Sequence, residues 1–279
     1  MKNILILGSE GQIGKPLEEY LNTKGYRVVG LDITKSAYHD LREYDNSIIS
    51  GYIKNTDFVY FLAFDVGGSR YLKEYQYTYD FIDNNTRIIA NTFHFLRLYN
   101  KPFIFASSQM SNMSYSPYGV TKALGEYYAK NLNGRIVKFW NVYGIENDMA
   151  KAHVITDFIL KAKHNNIIDM MTDGQEERQL LYSEDCCKCL EIVANNFDKI
   201  SKDKELHITN FEWFKIIDVA YKIANLFPGT TVIPSTNKDT VQLNKKNEPD
   251  PYILNFWKPE VTINEGLAKI SSFYKNSNF

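Results

Sequence analysis

The stretch ILILGSEGQIGKPL, residues 4–17, sets Gly8, Gly11 and Gly14 between an apolar run of strand character and a segment of helical period. Glycines at that spacing meet three steric needs: a tight turn, a backbone that can approach a pyrophosphate, and a helix packed close to its strand. The helix N-terminus adds unpaired N–H donors and partial positive charge. This constrains the chain to open with a βα unit whose turn faces a phosphate group, with Gln12 and Ile13 inside that turn as further contacts.

Further short runs rich in Ile and Val follow, separated by longer segments of helical period. The expected strands are Asn3–Leu7, Arg27–Leu31, Asp57–Ala63, Pro102–Ala106 and Arg135–Trp140, with helices near 12–24, 71–99 and 117–132 and a short one within 40–54. Strands joined by crossover helices imply a parallel sheet covered on both faces. The fold class is α/β, a Rossmann-type doubly wound parallel sheet with a smaller C-terminal part, and its ligands belong beyond the carboxyl ends of the strands. After residue 145 the pattern loosens into helices near 152–164, 184–196, 212–226 and 263–275, with isolated strands such as Leu206–Thr209 and Thr231–Ile233. Residues 1–145, completed by parts of 180–210, read as the dinucleotide-binding core, and 146–279 mainly as a substrate-binding part. The polar run at 235–251 reads as a surface loop or flap.

The 32 Lys and Arg against 33 Asp and Glu leave no field to draw nucleic acid or an anionic membrane. No apolar run is long enough to span a bilayer, and MKNILILG enters a strand without a targeting pattern, so the cytoplasm is the expected compartment. Cys186, Cys187 and Cys189 cluster in EDCCKCLEIV, which suits reduced thiols on a helix better than a disulfide framework; no second ligand pair suggests a metal.

RVVGLD ends the second strand at Asp32, eighteen residues after Gly14. A carboxylate there accepts both ribose hydroxyls and repels a 2′-phosphate, favouring NAD over NADP; the plain alternative is an acidic turn residue. FASSQMSNMSYSPYGVTK, residues 105–122, brings together Ser108, Tyr118 and Lys122. Tyr118 and Lys122 are four apart and share a helix face. A free phenol, with a pKa of about 10, is a poor base. A neighbouring ammonium favours the phenolate, and Ser108 at a strand end is placed to hold a substrate oxygen. Taken alone, the stretch is equally well an ordinary strand end, polar loop and helix start.

Together these residues resemble the short-chain dehydrogenase/reductase superfamily, and within it the extended branch of NAD-dependent epimerase/dehydratases of nucleotide sugars. DFVYFLAF is similar to that branch's fourth-strand motif, which brings Leu62 and Ala63 to the cofactor, and DNNTRIIANTF places Asn85 at the branch's structural-catalytic asparagine. KFWNVYGI resembles a later motif and carries Asn141, with Ile145 where proline is usual; DGQEERQLLYSED resembles another, whose arginine, here Arg178, contacts the substrate phosphate. WKPEVTINEGL is similar to the branch's C-terminal tail. KAHVITDF and DVGGSRY resemble members that handle GDP-sugars, with His153 at the position of their acid/base and Val154 beside it. The resemblance implies catalytic Ser108, Tyr118, Lys122 and Asn85, a nucleotide-sugar substrate, and a homodimer built on the helices near 71–99 and 117–132.

Two departures narrow the implied chemistry. Gln109 and Met110 follow Ser108 where 4,6-dehydratases carry Asp–Glu, and the loop lacks the cysteine of the 3,5-epimerising members, which favours His153 as a phosphate or hydroxyl contact over an acid/base and leaves both open. What remains is hydride transfer at a carbinol: a 4-epimerase or 4-dehydrogenase, with a 3,5-epimerase/4-reductase of a GDP-sugar as the alternative. The short loop from Ser108 to Tyr118 suggests an open pocket suited to a bulkier sugar. A ketone reductase of apolar substrates lacks a reason for Arg178, and a non-enzymatic regulator on this fold lacks one for keeping both Tyr118 and Lys122.

Overall fold

The computed structural model describes residues 2–146, 148–241 and 247–277. The first half runs β1 (Asn3–Leu7), α1 (Gly14–Thr23), β2 (Arg27–Leu31), α2 (Ser47–Lys54), β3 (Phe58–Phe61), α3 (Ser69–Tyr75), α4 (Tyr79–Leu98), β4 (Phe103–Ser108), α5 (Pro117–Lys130) and β5 (Gly134–Phe139). The second half runs β6 (Asn141–Tyr143), α6 (Val154–Asn165), β7 (Ile167–Asp169), β8 (Glu177–Arg178), β9 (Leu180–Tyr182) and α7 (Ser183–Asn195). It continues with β10 (Glu205–Ile208), β11 (Phe214–Lys215), α8 (Ile216–Leu226), β12 (Thr231–Ile233) and α9 (Ile263–Asn276).

Six strands form one parallel sheet in the order β10-β5-β4-β3-β1-β2. The chain steps from β1 to β2 on one side and then crosses to β3 on the other, so the strand order reverses between β1 and β3. That switch point opens a crevice at the carboxyl ends of the strands. The strand alternation divides the core. Ile4, Ile6, Tyr60, Ile104 and Val137 pack on one face against α1 and α7, where Cys186, Cys187 and Cys189 are buried free thiols. Leu5, Leu7, Val59, Phe61, Phe103 and Phe105 pack on the other against Ile49 and Ile53 of α2 and Ile89, Phe93 and Leu96 of α4. A separate cluster of Ile155, Phe158, Ile159, Val219, Ile223, Leu267 and Ile270 joins α6, α8 and α9.

Three expectations from sequence are corrected. The single helix at 71–99 is two, because Thr78 takes extended backbone and its side chain accepts the Phe81 N–H, starting α4 afresh. The helix at 212–226 begins only at Ile216, because Phe214 and Lys215 pair antiparallel with Arg178 and Glu177. The strand at 205–208 is not isolated: it pairs with β5 and forms the sheet's edge. Of the polar run at 235–251, residues 242–246 lie outside the described residues. Among the described residues no helix is long and apolar enough to cross a membrane, and no cluster of His, Cys, Asp and Glu has the makings of a metal site.

Candidate active site

A cleft of about 630 Å³ opens along the switch point. Gly8, with φ of +88°, receives its turn from β1, and its N–H donates to the Leu31 carbonyl at 2.8 Å. A Cβ there would lie 2.7 Å from Ala63 Cα, and one on Gly14 would lie 2.0 Å from the Gly8 carbonyl oxygen. At Gly11 a Cβ would meet only that oxygen, at 3.4 Å, and otherwise open space. The loop therefore closes on itself at its two ends and leaves room at its middle, over the start of α1, which is the cradle a pyrophosphate requires. Gln12 Nε2 donates to the Val142 carbonyl at 3.0 Å and ties the cradle to β6.

Asp32 ends β2 on the same cleft. One carboxylate oxygen accepts the Glu10 N–H at 3.1 Å, and the other accepts the Thr34 N–H at 3.0 Å and its hydroxyl at 2.9 Å. Gly8, Gly11, Gln12, Ile13, Gly14, Leu62 and Ala63 also line the cleft, so the glycine loop, the acidic strand end and the β3 end converge on one space. These residues fit a dinucleotide.

Also on the cleft wall, Tyr118, in the first turn of α5, is buried close to the Ser108 side chain. The turn is fixed by Ser116, whose hydroxyl accepts the Gly119 N–H, and by Pro117 at the first helical position. Lys122 Nζ donates to the Ala106 carbonyl at 2.6 Å and sits 3.6 Å from the centroid of the Phe64 ring. Burial pushes the Tyr118 phenol up to about 12, with the nearby Ser108 hydroxyl pulling back, and pushes the Lys122 amine down to about 7. This reverses the order that adjacency alone implies. Lys122 Nζ lies 5.8 Å from the centre of the Tyr118 ring and turns toward Ala106 and Phe64, so desolvation outweighs the pair's mutual field.

Other candidates are more scattered. Asn85 is fully buried off the cleft, and its amide clamps Asp65 from both sides: Oδ1 accepts the Asp65 N–H at 2.8 Å and Nδ2 donates to the Asp65 carbonyl at 3.0 Å. Asn141 and His153 line the cleft, while Val154, the first residue of α6, packs against the C-terminal core. Arg178 does not reach the cleft wall; its guanidinium is ion-paired with Asp239.

Sequence reasoning missed several cleft residues. Glu146 is buried, and its carboxylate accepts from His153 twice, from the backbone N–H at 3.0 Å and through Nδ1 at 2.7 Å. Burial raises that carboxyl, but the His153 contacts outweigh it and hold it below the usual range. Asp65 accepts from Tyr71 at 2.6 Å and from Lys151 at 3.2 Å, and Asp40, Leu41 and Arg42 close the cleft beside Asp32. The acid–Leu–Arg triplet after the second strand was a readable signal; the pairing of Glu146 with His153 across a 3-10 turn had none.

The fold and cleft define a class: dinucleotide-binding α/β proteins carrying a tyrosine–lysine pair on the helix that follows the fourth strand. Residues 4–209 match the model of the NAD dependent epimerase/dehydratase family, and the chain belongs to that family. Its cofactor is NAD. It is 30% identical over 174 residues to a putative UDP-glucose 4-epimerase of Methanocaldococcus jannaschii, an alignment covering 58% of this chain and 54% of that protein. This chain thus spans about half the length of that relative. Among solved structures, a GDP-6-OMe-4-keto-L-xylo-heptose reductase of C. jejuni superposes with a TM-score of 0.84 at 18% identity, covering 99% of this chain and 98% of that one. A UDP-glucose 4-epimerase of Thermotoga maritima, in complex with UDP-glucose, gives 0.83 at 16% identity over 98% of both chains.

Proposed function

We propose that the protein is an oxidoreductase or epimerase acting at C4 of a nucleotide-activated sugar by hydride transfer. One observation carries the reading: Ser108, Tyr118 and, one turn later, Lys122 line the same cleft as the glycine loop and Asp32. Two similar proteins are named for chemistry at C4 of a sugar nucleotide, which agrees with it. Residues 1–145 with parts of 180–210 form the cofactor part, and 146–279 mainly the substrate part.

NAD, which Gly8, Gly11, Gln12, Ile13, Gly14, Asp32, Leu62, Ala63, Tyr118 and Lys122 would hold, would supply the hydride acceptor or donor. Tyr118 takes up the proton of the C4 hydroxyl, and Ser108 holds the same oxygen so that proton and hydride leave along fixed directions. Lys122 holds the ribose and offsets the phenolate charge that appears as the proton moves. Asn85 acts through Asp65, which it keeps on the cleft wall. Asn141, His153 and the Val154 N–H at the α6 N-terminus contact the substrate, and Arg178 anchors the diphosphate when that anion replaces Asp239. The Glu146–His153 pair favours a second reading, the 3,5-epimerase/4-reductase of a GDP-sugar, in which His153 exchanges protons at the carbons flanking a C4 ketone.

The test incubates the protein with NAD or NADH and a panel of UDP-, GDP-, CDP- and dTDP-sugars in deuterium oxide, with products read by mass spectrometry and NMR. A change confined to C4 is expected. Deuterium at C3 or C5 assigns the second reading, and loss of water at C6 overturns both. Tyr118→Phe should still bind NAD and substrate while turnover falls on the order of a hundred-fold or more, as for a lost general base; wild-type turnover in that variant removes Tyr118 from the chemistry.

A further inference from the structure

Tyr118, Lys122 and Glu126 stand four residues apart on one face of α5, and each meets one of the three residues that end β4. Tyr118 lies close to Ser108, Lys122 donates to the Ala106 carbonyl, and the Ser107 hydroxyl donates to Glu126. The first two contacts belong to the candidate site. The third has no place in the chemistry above, although it repeats the same geometry one turn further along.

Glu126 is buried, and a buried carboxylate is expensive unless its charge is matched. Its cationic neighbour on β5 is Lys138, 3.5 Å away and itself almost wholly buried. That ammonium lies closer to Glu205 of β10, at 2.6 Å, and also donates to Asn112 Oδ1 at 3.2 Å. Lys138 is therefore shared among three acceptors, and Glu126 is matched only in part. Two further cations stand one turn away on the same helix: Lys130, which is exposed and paired with Glu205 at 3.2 Å, and Lys122, which is buried and feels the Glu126 charge.

We propose that Glu126 is a positioning residue of the active site: through Ser107 it fixes the end of β4 that carries Ser108, and its negative charge keeps the proton on Lys122 inside an apolar pocket. The pocket walls are the Phe64 and Phe105 rings, whose burial of Lys122 lowers its proton affinity, and Glu126 is the group that opposes this. The other titratable groups around this part of the sheet include Tyr118 and Lys130 on α5, Lys138 on β5, and Glu205 and His207 on β10. Asp65, beyond Phe64, is engaged by Tyr71 and Lys151. Glu126 thus opposes the loss of the Lys122 proton that burial favours, in support of the phenolate-compensating role.

The inference rests on the reading of Lys122 as a site residue, yet its first test needs no substrate. The full chain is acetylated with acetic anhydride across pH, and modification of Lys122 is followed by peptide mass spectrometry, since only the free amine reacts. In Glu126→Gln the amide oxygen still accepts from Ser107, but the charge is gone, and the midpoint should fall by about one pH unit or more. In Lys138→Gln a competing cation is removed, and the midpoint should rise. Opposite shifts are not what a merely structural role produces. Unchanged midpoints in both variants, or a rise in Glu126→Gln, overturn the proposal; where one variant does not fold, the other decides by its sign. With substrate, the pH profile of kcat/KM should move in the same directions. A shifted midpoint with an unmoved turnover profile supports the role of Glu126 and counts against the hydride-transfer reading instead.

Discussion

Burial decides the charge of single groups in this protein more than proximity does. Tyr118 and Lys122 are both driven toward their neutral forms, and the cleft sets a phenol beside an amine that holds its proton weakly. Sequence spacing placed them on one face but carried no information on how dry that face is. His207 shows the same rule away from the cleft. Its Nδ1 accepts the Trp140 indole N–H at 3.2 Å, and burial, with the charge of Lys138 added, pushes it down from 6.5 to about 4. Because the folded value lies below the unfolded one, the unfolded chain takes up the proton first. The contribution is complete above pH 6.5 and is lost as pH falls toward about 4, amounting to up to roughly 3 kcal/mol. Urea unfolding across that window should give a steep loss of stability in the wild type and a shallower one in His207→Gln, whose amide oxygen keeps the indole bond. Equal slopes would mean that His207 titrates normally.

Among the elements, those whose residues carry a local cause were legible. The five N-terminal strands are short Ile- and Val-rich runs, and the glycine loop announces the β1–α1 junction by its spacing. The break between α3 and α4 left only a weak local signal: threonine favours caps but also occurs inside helices, and the turn of the chain decides that Thr78 caps here. β11 is strand only because Glu177 and Arg178 lie beside it, a partner thirty-six residues away in sequence. Glu146 and Asp239 were missed for the same reason, since each owes its role to a contact made after folding. The glycines offer a direct test of how tightly the first junction is built. Gly14→Ala forces a Cβ to 2.0 Å from the Gly8 carbonyl oxygen, backbone against backbone, so the loop must move. It should destabilise the fold by about 1–3 kcal/mol, as overpacking does, and weaken NAD binding at least tenfold. Gly51→Ala in α2 meets nothing within 4 Å and should instead stabilise by about 0.5–1 kcal/mol. Thermal unfolding and NAD calorimetry on the two variants separate these outcomes; equal effects would show that the junction tolerates a side chain.

For the whole molecule, the surface of the α4–α5 pair is unlike the rest of the sheet's covering. Val120, Leu124, Tyr127 and Tyr128 of α5 are between 39% and 69% exposed, and Ile82 of α4 is 40% exposed. The stacked Phe93 and Tyr128 rings, 5.2 Å apart, join the two helices into one stiff plate beneath this apolar face. A single such residue is ordinary, but several at helical spacing on one plate favour a partner. A twofold axis over the plate would set α4 and α5 of one copy against the same helices of another, and so cover the patch with itself. We propose such a homodimer, in agreement with the family resemblance read from the sequence. Light scattering at micromolar concentration should give twice the 32.4 kDa of one chain. Val120→Glu with Leu124→Glu places four like charges across the axis and should yield a monomer that still binds NAD, because neither side chain lines the cleft. A wild-type mass of one chain, or a double variant that remains dimeric, would move the interface away from α4 and α5.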